Sequence, residues 1–475
     1  MTKLADWEKI IRFGVINYNG PHELNFEKAI AKAAKDPVGL GSTNIWSAAA
    51  FGDIISLGQL LAKDPSLAVA RGGPYDWMPI LYLCHSRIRV PGQDWLASLK
   101  LLLENGAEAK ESYTVSDTYH FSCLTAVMGE GEAGTKLWPP HPNALELAKT
   151  LLERGADPNE GQGLYNTMFS DGTHWLELLT SFGLGPEDPI NWDAERPIPI
   201  LDYLLNYACR MNQIDRAKFL LSQGANPNAI DRYDGEPALK QASTCGNLEI
   251  AKLLVEAGAE EFEWVNDKEK FFHAAVTLDK SVVKELETNL GTDTLKTWST
   301  QGETILAKQV ELNRIDVVSY LLELGFPTGQ SLFDAAWNGH FAMARLLVEQ
   351  GASVRKRDAG HQVTPIAFAN RTGFTDLRDY LLTQDADIFD IISFGSVERL
   401  EELIVADPGS IERKFSEYVE DCPELDDITP LTHAVMRGKA EQVDLLMQLG
   451  ADPHVIHPDG RNLAQIATEF IESQT

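Results

Sequence analysis

Apolar residues recur along the chain in short runs at helical spacing, and a glycine and a turn end most of them. In Gly246-Asn247-Leu248-Glu249-Ile250-Ala251-Lys252-Leu253-Leu254 the apolar positions lie three and four apart. That spacing predicts a helix with one buried face. The run Leu151-Leu152-Glu153-Arg154-Gly155-Ala156-Asp157-Pro158-Asn159 reads as the end of such a helix. Its glycine stops the helix by taking a left-handed conformation. Asp-Pro or Asn-Pro then turns the chain. The phrase returns at 220–228 and again around Gly106, Gly258, Gly351 and Gly450. Helix starts are equally legible in Thr429-Pro430-Leu431-Thr432-His433-Ala434 and Thr364-Pro365-Ile366-Ala367-Phe368-Ala369. Threonine accepts a bond from a free backbone N–H, and proline tolerates the first helical position.

The closing glycines stand at 106, 155, 224, 258, 325, 351 and 450. The step from 224 to 258 is 34 residues, and those from 155, 258 and 351 to the next copies are 69, 67 and 99. These are near one, two, two and three units of about 33 residues. Worn copies fill the gaps, at 178–183 and at 381–387, where Asp385 replaces the glycine. Residues 1–42 hold two helical stretches, 7–13 and 24–35, expected to cap the first unit. Repeats one to four span 43–183, with inserted loops at 87–94 and 129–143. A proline-rich connection, 184–199, is the best candidate for a kink. Repeats five to twelve span 200–458, the seventh (271–298) being very degenerate. A capping helix is expected in 459–475.

A unit of this length, with these caps and stops, resembles the ankyrin repeat. The resemblance covers most of the chain, from about Thr43 to the end. It implies an all-α ankyrin-repeat solenoid of about twelve helix-turn-helix repeats with helical caps, built for binding rather than chemistry. Residues 44–166 also resemble a bacterial subgroup of degenerate ankyrin-repeat proteins without an assigned activity. They do so through Asp64-Pro65-Ser66-Leu67-Ala68, Arg71-Gly72-Gly73-Pro74-Tyr75, Gly129-Glu130-Gly131-Glu132-Ala133-Gly134, Pro139-Pro140-His141-Pro142 and Gly161-Gln162-Gly163-Leu164-Tyr165-Asn166.

Charge narrows the partners. Seventy acids against 41 bases give a formal charge of −29. A nucleic-acid groove needs clustered Lys and Arg, so none is expected, and anionic membranes are disfavoured for the same reason. A basic protein partner is compatible with the charge, and so is simple solubility. The five cysteines, Cys84, Cys123, Cys209, Cys245 and Cys422, form no CxxC. They fit a reducing compartment. With no apolar signal core and no run of about 18 apolar residues, a cytoplasmic protein is expected. The oligomeric state is left open.

Candidate chemistry is thin. Gly129-x-Gly131-x-x-Gly134 matches the dinucleotide fingerprint in letters, but a helix precedes it and Glu130 and Glu132 would repel phosphate. His454, His457 and Asp459 lie close in sequence, across a turn where such residues are common. Cys84-His85 and His120-x-x-Cys123 are weaker still. No catalytic, cofactor or metal residue is assigned. The two insertions occupy equivalent places in adjacent repeats and are expected to meet on one edge. Arg87, Arg89, Trp95, Trp138, Pro139, Pro140 and His141 would then form a basic–aromatic patch or a cover over apolar surface. Tyr75, Trp77, Tyr119, Phe121, Tyr233 and Trp298 precede first helices on the concave side, and Trp337 on a first helix joins them. Aromatic residues are frequent interface anchors. The expected function is a non-enzymatic scaffold binding a protein partner, an inhibitor or immunity-type protein for a basic partner being the specific form. The alternative is an enzyme or small-ligand receptor with a pocket near Trp138 and His141.

Overall fold

The structure is a computed structural model. It describes residues 5–474 apart from 20–23, 116–118, 133–137, 191–196, 265, 359–361 and 419–427. The chain divides into two compact units, residues 1–243 with 247–263 and residues 244–246 with 264–475. Each is a stack of short helix pairs around its own continuous apolar core. The all-α repeat architecture expected from the sequence is what forms.

In unit 1 the first helix of each pair is short and almost wholly buried. Every residue of Pro79–His85 and of Cys123–Met128 is buried. Helices apolar on all sides belong between neighbours rather than at a surface. The second helices bury one stripe only. In Ala144–Glu153 that stripe is Leu147, Ala148, Thr150, Leu151 and Leu152. Each fully buried leucine contributes about 1.5–3 kcal/mol. Gly155 then ends the helix at φ 95°. The Ala156 N–H donates back to the Leu151 carbonyl at 3.0 Å, which satisfies a carbonyl that the helix end leaves free.

Two features of unit 1 go beyond the repeat. The first is the N-terminal segment. Helices Asp6–Gly14, Phe26–Ala33 and Pro37–Gly41 lie ahead of the first pair, but the chain after Gly14 does more than cap it. Ile16 N–H donates to the His85 carbonyl at 3.0 Å, and Arg87 N–H donates to the Gly14 carbonyl at 2.7 Å. Tyr18 reaches further and stacks on Phe121 with ring centres 4.1 Å apart. The second feature corrects a purely helical expectation. Strands β1 (Ser112–Val115) and β2 (Tyr119–Ser122) form an antiparallel hairpin. It lengthens the turn between helices Trp95–Glu104 and Cys123–Met128. Within 184–199, the Ile190 N–H donates to the Ile198 carbonyl at 2.9 Å and the Ile200 N–H to the Asp188 carbonyl at 2.7 Å.

Unit 2 follows the repeat more plainly. Thr364 Oγ1 accepts from the Ala367 N–H and Thr429 Oγ1 from the Thr432 N–H, each at 3.3 Å, at the starts of helices Pro365–Arg371 and Pro430–Met436. The degenerate seventh repeat inserts an extra helix, Thr292–Ser299, after Lys280–Leu290. Asp385, standing where a glycine was expected, pairs with Arg355, whose Nε also donates to the Asp385 carbonyl at 2.7 Å. The sequence also offers an acidic loop before the twelfth repeat, Glu417, Glu420, Asp421, Glu424, Asp426 and Asp427, and all of it but Glu417 lies outside the described residues.

Candidate protein-binding surface

The inserted loops of unit 1 meet, as their equivalent positions require, and Arg87 joins them. Its Nε donates to the Pro139 carbonyl at 2.6 Å and its Nη2 to the Ala126 carbonyl at 2.6 Å. Nη1 donates to the carbonyls of Cys84, at 3.2 Å, and Ser86, at 3.0 Å. The group is buried, and burial lowers its pKa to about 10. His141 is buried beside it, its ring edge-on to Trp95 at 4.7 Å. Burial holds His141 well below the usual imidazole pKa. Its backbone N–H donates to the Val127 carbonyl at 2.9 Å.

The loop that opens at Gly129 is fixed just as firmly. Gly129, Glu130 and Gly131 take positive φ in succession, 68°, 64° and 101°. At Gly129 only glycine fits, because a Cβ would stand 2.7 Å from the Pro139 carbonyl oxygen. Glu130 accepts this conformation although it is strained for a side chain. Its carboxylate is buried and accepts from Ser170 Oγ at 2.9 Å. Burial raises its pKa. The amides of this loop are already committed. Gly129 N–H donates to the Thr125 carbonyl, Glu130 N–H to Trp138 and Gly131 N–H to Asn166, at 3.0, 2.7 and 3.0 Å. A dinucleotide phosphate would need those donors, so the Gly-x-Gly-x-x-Gly letters are a structural loop here; Gly134 itself lies outside the described residues.

An aromatic stack supports the neighbouring turns. Tyr113 lies on Trp77 with centres 4.3 Å apart, Trp77 on Tyr75 at 4.8 Å, and Tyr113 on Phe121 at 5.7 Å. Tyr113 Oη accepts from the Tyr18 N–H at 2.9 Å. His85 sits under this stack, and burial drops its pKa to about 3. Glu160, missed in the sequence, caps helix Gly161–Thr167 by accepting from the Gly163 N–H at 2.6 Å, and it also bonds Thr125 Oγ1. Burial raises its pKa to about 7.

The expected binding residues therefore fall into two groups. Trp77, Arg87, Phe121 and His141 are buried and hold the loops and turns together. They cannot meet a partner directly in this arrangement, because burial leaves them almost no accessible surface. Tyr75, Trp138, Trp298 and Trp337 are half-buried, and Arg89 is exposed. Trp298 lies on the extra helix Thr292–Ser299, near Phe271, and Trp337 packs edge-on to Phe368. Tyr119 and Tyr233 stand out at 50% and 64% exposure. Of the two residues expected to line a pocket, His141 is buried and Trp138 is half-buried. Grooves of about 650 and 560 Å³ lie elsewhere in unit 1, one beside β1 and one bounded by Leu239, Val255 and Phe262.

The other candidate clusters also resolve into local structure. His457 Nδ1 lies 2.8 Å from Asp459 Oδ1, and Asp459 is in turn paired with Arg461. That hydrogen bonding holds the exposed Asp459 carboxylate below its ordinary pKa. Cys84 and Cys123 are buried free thiols. Among the described residues no group of three or more His, Cys, Asp and Glu gathers to hold a metal. No helix there is long and apolar enough to cross a membrane.

Comparison with known proteins agrees with the repeat pattern. A family model described as ankyrin repeats in many copies matches residues 205–276, and one for the single ankyrin repeat matches 426–458. An ankyrin repeat protein of fowlpox virus, FPV014, is 31% identical over 119 residues, 24% of this chain and 25% of its own length. The ankyrin repeat-containing protein YIL001W of Saccharomyces cerevisiae is 42% identical over 55 residues, 12% of this chain and 10% of its own. An ankyrin repeat and SAM domain-containing protein of Danio rerio is 26% identical over 172 residues, 34% and 20% respectively. The chain thus spans a quarter or less of the curated relatives it matches. Among solved structures, the ankyrin repeat domain of human ASB11 is 16% identical and covers 57% of this chain and 97% of its own, with a TM-score of 0.25.

Proposed function

We propose that this chain, an ankyrin-repeat protein, is a non-enzymatic scaffold that docks a protein partner on the turn-bearing side of unit 1. The observation that carries the reading is the exposure of Tyr119 and Tyr233 at turns of the repeat stack. Both are carried by backbone that pairing or a side-chain bond holds in place, Tyr119 opposite Val115 in the hairpin and Tyr233 beside Asp231. Tyr119 follows β1, whose Tyr113 is locked in the aromatic stack. Tyr233 sits in a turn held by Asp231, which accepts from the Tyr233 N–H at 2.8 Å. A large aromatic ring on a rigid turn loses little freedom on binding, which suits an interface anchor. Half-buried Tyr75 and Trp138 and exposed Arg89 extend the surface, and Trp298 and Trp337 supply candidate contacts in unit 2. The charge of −29 favours a basic partner by long-range attraction. An inhibitor or immunity-type role, a cytoplasmic setting and kinship with the bacterial subgroup are the specific form of this proposal.

The test is affinity capture on the tagged chain at low and high salt, followed by titration of the retained partner against Tyr119→Ala and Tyr233→Ala. Each variant is expected to weaken binding by about tenfold or more, as for an anchor residue. Retention of a metabolite and no protein would contradict the reading. So would a partner that binds both variants at full strength.

A further inference from the structure

One edge of β1 presents backbone hydrogen-bonding groups that the fold leaves unused. The Cys123 N–H donates to the Glu111 carbonyl at 3.0 Å, and Tyr113 lies opposite Phe121 in register. Bonded and non-bonded pairs alternate along an antiparallel ladder. Glu111, Tyr113 and Val115 therefore face β2 with their backbone groups, and Ser112 and Thr114 turn theirs the other way. Among the described residues, no partner meets the N–H or C=O of Ser112 or Thr114. Ser112 and Thr114 line the groove of about 650 Å³, together with Asn17, Asn19, Arg71, Tyr75 and Asp76.

Three further observations bear on what would fill it. A free two-stranded hairpin is marginal, yet this one is anchored by Tyr113, pinned between Trp77 and Phe121 with its hydroxyl on the Tyr18 N–H. The edge is thus already positioned. Exposed edges are commonly blunted by Lys, Pro or a bulge, and Ser112-Tyr113-Thr114-Val115 contains neither Lys nor Pro and pairs in unbroken register. The charge pattern is also specific. Arg71 and Asp76 are the charged residues of the lining and lie 3.7 Å apart as a pair. In an acidic chain this groove is locally balanced, and the other polar lining residues are amides and hydroxyls.

We propose that β1 receives a partner polypeptide as a third strand. The occupant is an extended segment of about four residues, the length of β1, carrying uncharged polar side chains. Its alternate backbone amides and carbonyls bond to Ser112 and Thr114, and its intervening residues face away from the edge. This deepens the protein-binding reading on which it rests. It assigns short-range recognition to backbone pairing and leaves attraction at a distance to the acidic surface.

The experiment uses the full chain and a displayed library of random short peptides, with counter-selection on Thr114→Pro. Proline at 114 removes a donor that the hairpin does not use. The selected peptide is then synthesised with single N-methyl groups at successive residues. Methylation at alternate residues is expected to weaken binding by about tenfold or more, while methylation between them is neutral. Binding should slow amide exchange at Ser112 and Thr114, with Tyr113 and Val115 protected from the start. Should Thr114→Pro fail to fold, the N-methyl series and the exchange pattern on the unaltered chain decide. The proposal is overturned by a library that yields no binder, by indifference to methylation at every residue, or by Ser112 and Thr114 amides already protected in the free chain. It is also overturned by peptides that protect only other segments, a result that leaves the scaffold reading standing. Capture of a metabolite in place of any protein fails the scaffold reading instead.

Discussion

Arg87 in unit 1 is buried and Arg357 in unit 2 keeps 9% of its side chain exposed, and the two are held in opposite ways. Arg87 donates to four backbone carbonyls, and no carboxylate pairs with it among the described residues. Arg357 Nη2 instead meets Asp387 Oδ2 at 2.6 Å, with the Asp387 side chain fully buried. The guanidinium also lies 4.7 Å over the Phe415 ring. Asp387 does a second job there: its Oδ1 accepts from the Asp390 N–H at 2.9 Å and caps helix Ile388–Phe394. Asp390 beside it accepts from Thr364 Oγ1 at 2.9 Å, and burial next to Asp387 raises its pKa to about 8. The difference is instructive. Where the chain departs from the repeat, in unit 1, a buried cation is used to tie loop backbone together. In unit 2, at the worn copy that ends in Asp387, the arginine is instead held by a side-chain pair, with the raised-pKa carboxyl of Asp390 beside it.

The comparison can be broken most severely at Asp387. Asp387→Asn keeps the cap acceptor and leaves Arg357 buried without its counter-charge. Removing one partner of a buried pair costs about 3–5 kcal/mol. Urea titration should show that loss; a change under about 1 kcal/mol would mean that the phenyl face and the Gln362 carbonyl, which accepts from Arg357 Nη1 at 3.2 Å, suffice to hold Arg357.

A smaller effect should follow pH. The folded pKa of Asp390, about 8, lies above that of an unfolded carboxyl. The folded state therefore holds a proton that the unfolded state releases between about pH 4 and pH 8. Stability falls as pH rises through that window and levels off above it. Asp390→Asn, neutral at every pH, should gain about 3.5 kcal/mol relative to the native chain at pH 8 compared with pH 5. Equal stability differences at the two pH values would place a charged Asp390 in the folded state throughout.

Much of this was legible beforehand, and the reason is local. The glycine stops and threonine caps act within a few residues, so Gly155, Thr364 and Thr429 could be read from their neighbours. The places of the two insertions followed from the period. What they do to each other did not, because the Arg87 clasp joins residues 52 apart through a carbonyl, which carries no residue identity. Trp77 and Phe121 read as contact residues from their type and their place before first helices, whereas the Tyr18 and Tyr113 rings that bury them belong to segments that give no such signal. The hairpin did leave one. Ser-Tyr-Thr-Val and Tyr-His-Phe-Ser alternate with a period of two, but they lie inside a turn of a helical repeat and were passed over.

The central claim is that Arg87 clasps the two inserted loops into a fixed support for the surface that they share. Amide exchange at Glu130, Gly131 and His141 in the native chain and in Arg87→Met tests it most directly. The account predicts slow exchange at all three in the free native chain, faster exchange by about tenfold or more in the variant, and unchanged protection in unit 2. Fast exchange at these amides in the native chain, or exchange unmoved by Arg87→Met, would contradict it.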